Sequence, residues 1–282
     1  MVEPVTNPLN PQIGAVAYGN KPTDGGNLIV EPDAYQTVMD DPIAAKYVRR
    51  YVGARELLHD TMRHCLWLRD ADDEDLERSP VLKERVAAAR QFRSKSRAAS
   101  TRDAASTAHE FRQVSQPDAA YLCIPRHISE NYPYFLAQRY GADVICSDAN
   151  FLSPDPDGFI FAAISSTMFM TWQRTVGGRI KSDLRFNKLL AWNTFPLPTI
   201  NDDRRKLIIS AGAEVLTVRA QLTNMALADM YDPVSFPEDL RQAHLRLDHI
   251  VDEVFGVKDP DIPELDRQDV LFSHYRRLTK RL

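Results

Sequence analysis

The chain has 282 residues, 44% hydrophobic and 26% charged, an ordinary globular composition that excludes a fibrous, collagen-like or wholly disordered protein. Its 35 Lys and Arg against 39 Asp and Glu leave a formal charge of −4, so any nucleic-acid role must rest on local patches. Cys65, Cys123 and Cys146 form no CxxC pair, and their odd number predicts reduced thiols in the cytoplasm, with neither disulfide nor zinc framework. The most apolar run, Phe159 to Met170, is about half of the roughly 20 residues that span a bilayer, so no membrane partner is expected. The start shows no basic region followed by an apolar core, and hence no export signal.

The first thirty-odd residues are rich in Pro, Gly and Asn and read as irregular surface chain. Pro42 to His59 places Ala45, Val48, Val52 and Leu57 near helical spacing and predicts a helix. Cys65 to Leu68 predicts a short buried strand. From Asp70 to Glu77 the chain is almost all acid, and then Ser79-Pro80 opens a helix with a cap followed by proline at the first helical position. That helix carries Lys83, Arg85, Arg90, Arg93, Lys95 and Arg97. A phosphate-facing surface and a solvated face paired with the acidic run both remain open.

Ala120 to Ile124 and Asp143 to Cys146 predict strands, and Phe159 to Val176 a buried helix stopped by Gly177-Gly178. Phe195-Pro196-Leu197-Pro198 reads as a domain boundary, giving a mixed domain over 1–198 and a helical one over 199–282. Downstream, Leu207, Ile208, Ala211, Val215, Val218 and Leu222 form one stripe. Leu240, Ala243, His244, Leu247, Ile250, Val251, Val254 and Phe255 form another, ended by Gly256. A third helix is expected over Asp266 to Leu282, with Val270, Leu271, His274 and Leu278 inward and a basic end at Arg276, Arg277, Lys280 and Arg281. The fold class is therefore α+β.

Most catalytic constellations are missing: there is no G-x-S-x-G, H-E-x-x-H or P-loop pattern. Asn131-Tyr132-Pro133-Tyr134 approaches the Asn/Asp-Pro-Pro-aromatic loop with which amino-methyltransferases grip a flipped adenine. Tyr stands at its second position and no glycine-rich strand-to-helix turn precedes it, so a polar turn between strands is the preferred reading. His64 with Cys65, and Cys123 with His127, lack the second pair a zinc site needs, so no metal is expected. Phe169, Trp172, Phe186 and Trp192 read as core. Between Arg174 and Lys188, basic residues flank two glycines. Lys181 and Asp183, two apart on an extended segment, point the same way and suit one base pair, Lys to guanine O6/N7 and Asp to the cytosine amino group. A surface ion pair is the plainer alternative.

Tyr18-Gly19-Asn20-Lys21-Pro22, Asp24-Gly25-Gly26-Asn27-Leu28, Cys65-Leu66-Trp67-Leu68, Ile124-Pro125-Arg126, Ser147-Asp148 and Gly178-Arg179-Ile180-Lys181-Ser182-Asp183-x-Arg185 resemble the back half of the MmeI-like family. Leu227-Ala228-Asp229-Met230-Tyr231-Asp232-Pro233 and the helix from Asp239 to Gly256 resemble its C-terminal region. Members are large type II restriction-modification proteins that join a nuclease, an adenine-N6 methyltransferase, a target-recognition domain and a helical C-terminal region. The resemblance implies a recognition portion for double-stranded DNA without catalytic residues of its own. S-adenosylmethionine would then belong to a methyltransferase catalytic chain or a missing domain. Lys181 and Asp183 would read a base pair, the Lys-x-Asp order going with guanine beside the target adenine and acid-x-Arg with cytosine. Arg126, Arg179 and Arg185 would hold phosphates or neighbouring base edges, with Arg174 among the DNA-binding residues, while Arg90, Arg93 and Arg97 on the basic helix are expected to contact phosphates alone. Since the chain begins where recognition begins, it is expected to work with a catalytic partner or to be a truncated remnant. The competing expectations are a stand-alone enzyme using Asn131 to Tyr134, and an interaction module whose helical tail matters most.

Overall fold

The computed structural model describes residues 1–259 and 261–280. The chain opens with β1 (Ala17–Tyr18), β2 (Ile29–Val30), α1 (Tyr35–Met39), β3 (Val48–Val52), α2 (Ala54–His59) and β4 (His64–Leu66). There follow α3 (Asp73–Arg78), α4 (Pro80–Ser94), α5 (Ala99–Asp103), β5 (Tyr121–Pro125), β6 (His127–Ile128), β7 (Gln138–Tyr140), β8 (Ile145–Cys146) and β9 (Asn150–Pro154). The last part holds α6 (Phe159–Ile164), α7 (Thr167–Val176), β10 (Gly178–Ile180), β11 (Asp183–Arg185), α8 (Asp202–Gln221), α9 (Leu227–Met230), α10 (Glu238–Val254) and α11 (Glu264–Thr279). From residue 200 onward the described regular elements are all helical, behind a mixed region of strands and helices, as the α+β reading requires.

Two compact units divide the chain. One comprises residues 18–118 and 141–152, the other 1–17, 119–140 and the chain from 153 onward. This division by compactness does not follow the proline pair at 196 and 198.

In the first unit, β2-β4-β3-β8 form a sheet, antiparallel except for the parallel β3–β8 pair, in which Tyr51 faces Ile145. Leu28, Val30, Leu66 and Ile145 meet Leu82, Val86 and Ala89 of α4 in its core. Helix α4 starts as expected: Ser79 is its N-cap, accepting from Leu82 N at 3.0 Å, with Pro80 in the first turn. The helix expected over Pro42 to His59 is instead a 3-10 turn at Ala44–Tyr47, strand β3 and the short α2. Val48, Tyr51 and Val52 suit a strand, and Gly53 ends it, so pairing with β4 and β8 overrides a loose helical spacing.

In the second unit, β5 and β7 pair antiparallel from Tyr121↔Tyr140 to Cys123↔Gln138, and β10-β11-β6 form a small sheet. The buried helix expected from Phe159 to Val176 is broken in two. Ser166 adopts extended angles and caps α7, accepting from Phe169 N at 3.3 Å. Burial on all sides of α6 and α7 hides such a break from periodicity, which reads only one-sided helices. Phe169, Trp172, Phe186 and Trp192 are all buried, and Phe169 lies edge-on to Trp192.

Helix α8 packs on α6 and α10. Gly212 permits this, because a Cβ there would lie 2.6 Å from Ala162 Cβ. Ile208, Ala211 and Val215 are buried as their stripe requires, but Leu207 is exposed and the buried face continues to Arg219. In α10 the inward face carries Leu240, Ala243, His244, Leu247 and Val251 together with Asp248 and Asp252, and Gly256 follows at φ +84°. In α11 Leu271 is buried, while Val270, His274 and Leu278 are only half-buried. Arg281 and the expected helix end at Leu282 lie outside the described residues. Among the described residues no helix is long and apolar enough to cross a membrane.

Candidate nucleic-acid interface

Strands β10 and β11 form a hairpin in which Gly178 faces Arg185, Arg179 faces Leu184 and Ile180 faces Asp183. On the next strand Leu184 faces Ile128 and Arg185 faces His127. Directly opposed residues share a face, so Leu184 and Ile128, both buried, point inward. Asp183 and Arg185, both exposed, therefore point outward together with Ile180, which is 45% exposed, and His127 lies half-buried on the same face with its Nε2 shielded from solvent.

Lys181 and Ser182 form the two-residue turn. Lys181 has φ +56°, so it does not share an extended segment with Asp183 as the spacing had implied. Lys181 sits in the turn and Asp183 opens β11 just after it, and neither carries an ion pair among the described residues. His127 is the outward residue that sequence reasoning missed, because alternation places it only once its register with Arg185 is known. Burial, and then the charges of Arg126 and Arg185, hold its pKa below the ordinary value against the pull of Asp183, which favours the neutral imidazole.

The other basic residues divide by what they already hold. Arg179 is half-exposed and ion-paired with Glu130. Arg174 is half-buried, donating to Tyr132 O at 3.0 Å and Glu130 O at 3.4 Å, with Glu264 3.6 Å away. It clamps the loop after β6. Arg126 is half-buried, and its carbonyl accepts from Phe186 N at 3.0 Å.

In the first unit, Arg90 and Arg97 are exposed. Arg93 departs from the expectation of a phosphate contact, being 0% exposed. Its guanidinium donates to the carbonyls of Pro22, Thr23, Ala104, Thr107 and Glu110 at 2.6–3.0 Å. The signal was present in the spacing: Arg93 continues the buried stripe of Leu82, Val86 and Ala89. The acidic run is paired with α4 through Glu77 and Lys83, as the solvated alternative required, while Glu74 pairs with Arg78 inside α3.

Asn131 to Tyr134 lies between β6 and β7 as a turn. The Tyr134 ring is 5% exposed and stacked on His244 with centroids 3.8 Å apart, and its hydroxyl donates to Asp248 at 2.8 Å. A ring committed in this way offers no face to a flipped base, and these residues do not fit a methyl-transfer loop. All three cysteines are buried, and none forms a disulfide.

Family models for the MmeI target recognition domain and the MmeI C-terminal domain match residues 1–199 and 200–282. The chain belongs to the MmeI family. It is 31% identical over 282 residues to DNA methyltransferase A of Bacillus subtilis (strain 168), covering 100% of this chain and 32% of that protein. The type IIL restriction-modification enzyme MmeI, solved in complex with DNA, superposes with a TM-score of 0.90 at 37% identity over 99% of this chain and 37% of its own. The chain thus spans about a third of the length of these two proteins.

Proposed function

We propose that this chain is the part of an adenine-N6 DNA methyltransferase or type II restriction-modification system that reads the DNA sequence, with the β10–β11 hairpin as its base-reading element. The observation that carries the proposal is the outward face of that hairpin, where Asp183, Arg185 and His127 stand beside Lys181 at the tip on a target-recognition domain of the MmeI family. Donors and acceptors on a two-stranded ribbon fit a major groove, where each base pair shows a distinct pattern. Lys181 donates to guanine O6/N7 and Asp183 accepts from the cytosine amino group. Arg185, Arg179 and Arg126 hold phosphates or neighbouring base edges, and Arg90 and Arg97 hold phosphates at the other unit.

Methyl transfer and any cleavage belong, in this reading, to a catalytic domain or partner chain that binds S-adenosylmethionine. Its setting is the cytoplasm, in keeping with three buried cysteines outside any disulfide. The test is duplex binding across a salt series. Affinity should fall steeply as salt rises, and Arg90→Ala with Arg97→Ala should weaken all sequences alike and flatten the slope. Binding that ignores salt would remove the proposal.

A further inference from the structure

Asp248, on the inward face of α10 and 5% exposed, accepts hydrogen bonds from Thr167 N at 2.7 Å, Thr167 Oγ1 at 2.6 Å and the Tyr134 hydroxyl at 2.8 Å. Thr167 is the first residue of α7, so the carboxylate sits at the positive end of that helix. Helix α7 has 10 residues, and its far end is tied to the hairpin. Gln173 Nε2 donates to Arg185 O at 3.0 Å, and Gly177 leads straight into β10. Tyr134 lies in the loop that follows β6, where Arg174 of α7 holds Tyr132 O, and β6 is the strand on which β11 is registered. Both donor residues, Thr167 and Tyr134, therefore lead to the hairpin, one through α7 and the other through the loop behind β6.

His244, one turn before Asp248 on α10, makes a parallel tie. Its Nδ1 lies 3.1 Å from Ser165 O, which can only accept, so Nδ1 carries the proton and Nε2 accepts from the Tyr231 hydroxyl at 2.6 Å. Arg219 Nε donates to that same hydroxyl at 2.7 Å. Burial works against the Asp248 anion, yet three donors converge on it. A carboxylate held by directed hydrogen bonds constrains the approach of its donors more narrowly than an apolar side chain, whose packing is non-directional.

We propose that Asp248 is a positioning residue, through which the C-terminal helices set the pose of the β10–β11 hairpin and thereby its base discrimination. The inference rests on the hairpin being the reading element, and two measurements keep it separable from that reading. The first is amide hydrogen exchange on the intact chain, comparing wild type with Asp248→Asn, Thr167→Val and Thr167→Ser. Asp248→Asn and Thr167→Val should speed exchange of residues 178–185 by roughly tenfold while the amides of α4 stay unchanged, and Thr167→Ser, which keeps the hydroxyl, should restore wild-type protection. Unchanged hairpin exchange, or an increase spread evenly along the chain, would overturn the positioning role.

The second measurement is selection from a randomised duplex pool. Asp248→Asn should lower discrimination at the position read by the hairpin by roughly fivefold or more, with affinity for bulk duplex held within about twofold. Discrimination equal to wild type would overturn the claim on base choice. A wild-type chain that selects no sequence strikes the recognition reading itself, and the exchange experiment then decides the positioning role alone.

Discussion

Helix α4 and the β10–β11 hairpin are both basic and set beside a buried core, but they use their charges in opposite ways. Helix geometry brings every third or fourth residue to the core, so one arginine in the α4 series, Arg93, falls on the buried stripe and becomes a structural tie among five carbonyls. Strand geometry alternates, so the hairpin buries Leu184 and turns Asp183 and Arg185 outward together. A basic cluster is therefore not one kind of object. Its period relative to its element decides which charges remain for a partner.

Breaking the α4 side of that contrast should have the largest effect. Arg93→Ala leaves five carbonyls without their donor inside the first unit, and stability should fall by about 3 kcal/mol or more, read as an early midpoint in urea. Arg90→Ala, three residues away and exposed, should change stability by less than about 0.5 kcal/mol. Equal losses at both positions would erase the distinction between the two arginines.

Asp248 sharpens the hairpin side through pH. Burial pushes its carboxyl up to about 6, against the hydrogen bonds from Thr167 and Tyr134. The folded chain therefore holds this proton more tightly than the unfolded one. The resulting stability is fully present below the ordinary carboxylate value and is lost as pH rises towards about 6. Between pH 4 and pH 7 wild type should lose on the order of 2 to 3 kcal/mol relative to Asp248→Asn in the same denaturation series. Asp252, raised by its own burial, adds a slope of the same sign in both proteins, and its charge contributes to the rise at Asp248. A difference that stays flat across this window would mean that Asp248 is not held against its ionisation.

Gly212→Ala tests the helical packing beneath. Its Cβ would meet Ala162 Cβ at 2.6 Å between α8 and α6, and a cost of about 1 to 3 kcal/mol is expected in thermal unfolding. A neutral result would mean that the two helices part at no cost.

What could be read from the sequence follows physical lines. The Ser79-Pro80 helix start was legible because its cap and proline act locally. So were the buried aromatics, by their size, and the inward face of α10, whose signal is one-sided. β3 was not, because Val48 to Val52 is compatible with either element until β4 and β8 pair with it. Neither was the interruption at Ser165-Ser166, which lies in chain buried all round. In the candidate interface Lys181 and Asp183 were legible as a donor and an acceptor, but their placement about a turn was not, because a two-residue hairpin reverses the chain within the span that read as a strand. His127 and Ile180 join the same face only through cross-strand register, a relation over distances that sequence spacing does not record.

The account stands or falls on the hairpin tip. Exchanging its polarity by Lys181→Glu with Asp183→Arg, and sequencing duplexes selected from a randomised pool with the catalytic partner supplied where one is found, addresses it most directly. The account predicts that preference moves from G to C at a single position, with about 1 to 3 kcal/mol of discrimination at that base pair and the other positions unchanged. Identical preferences at every position in the double variant and the wild type would contradict it.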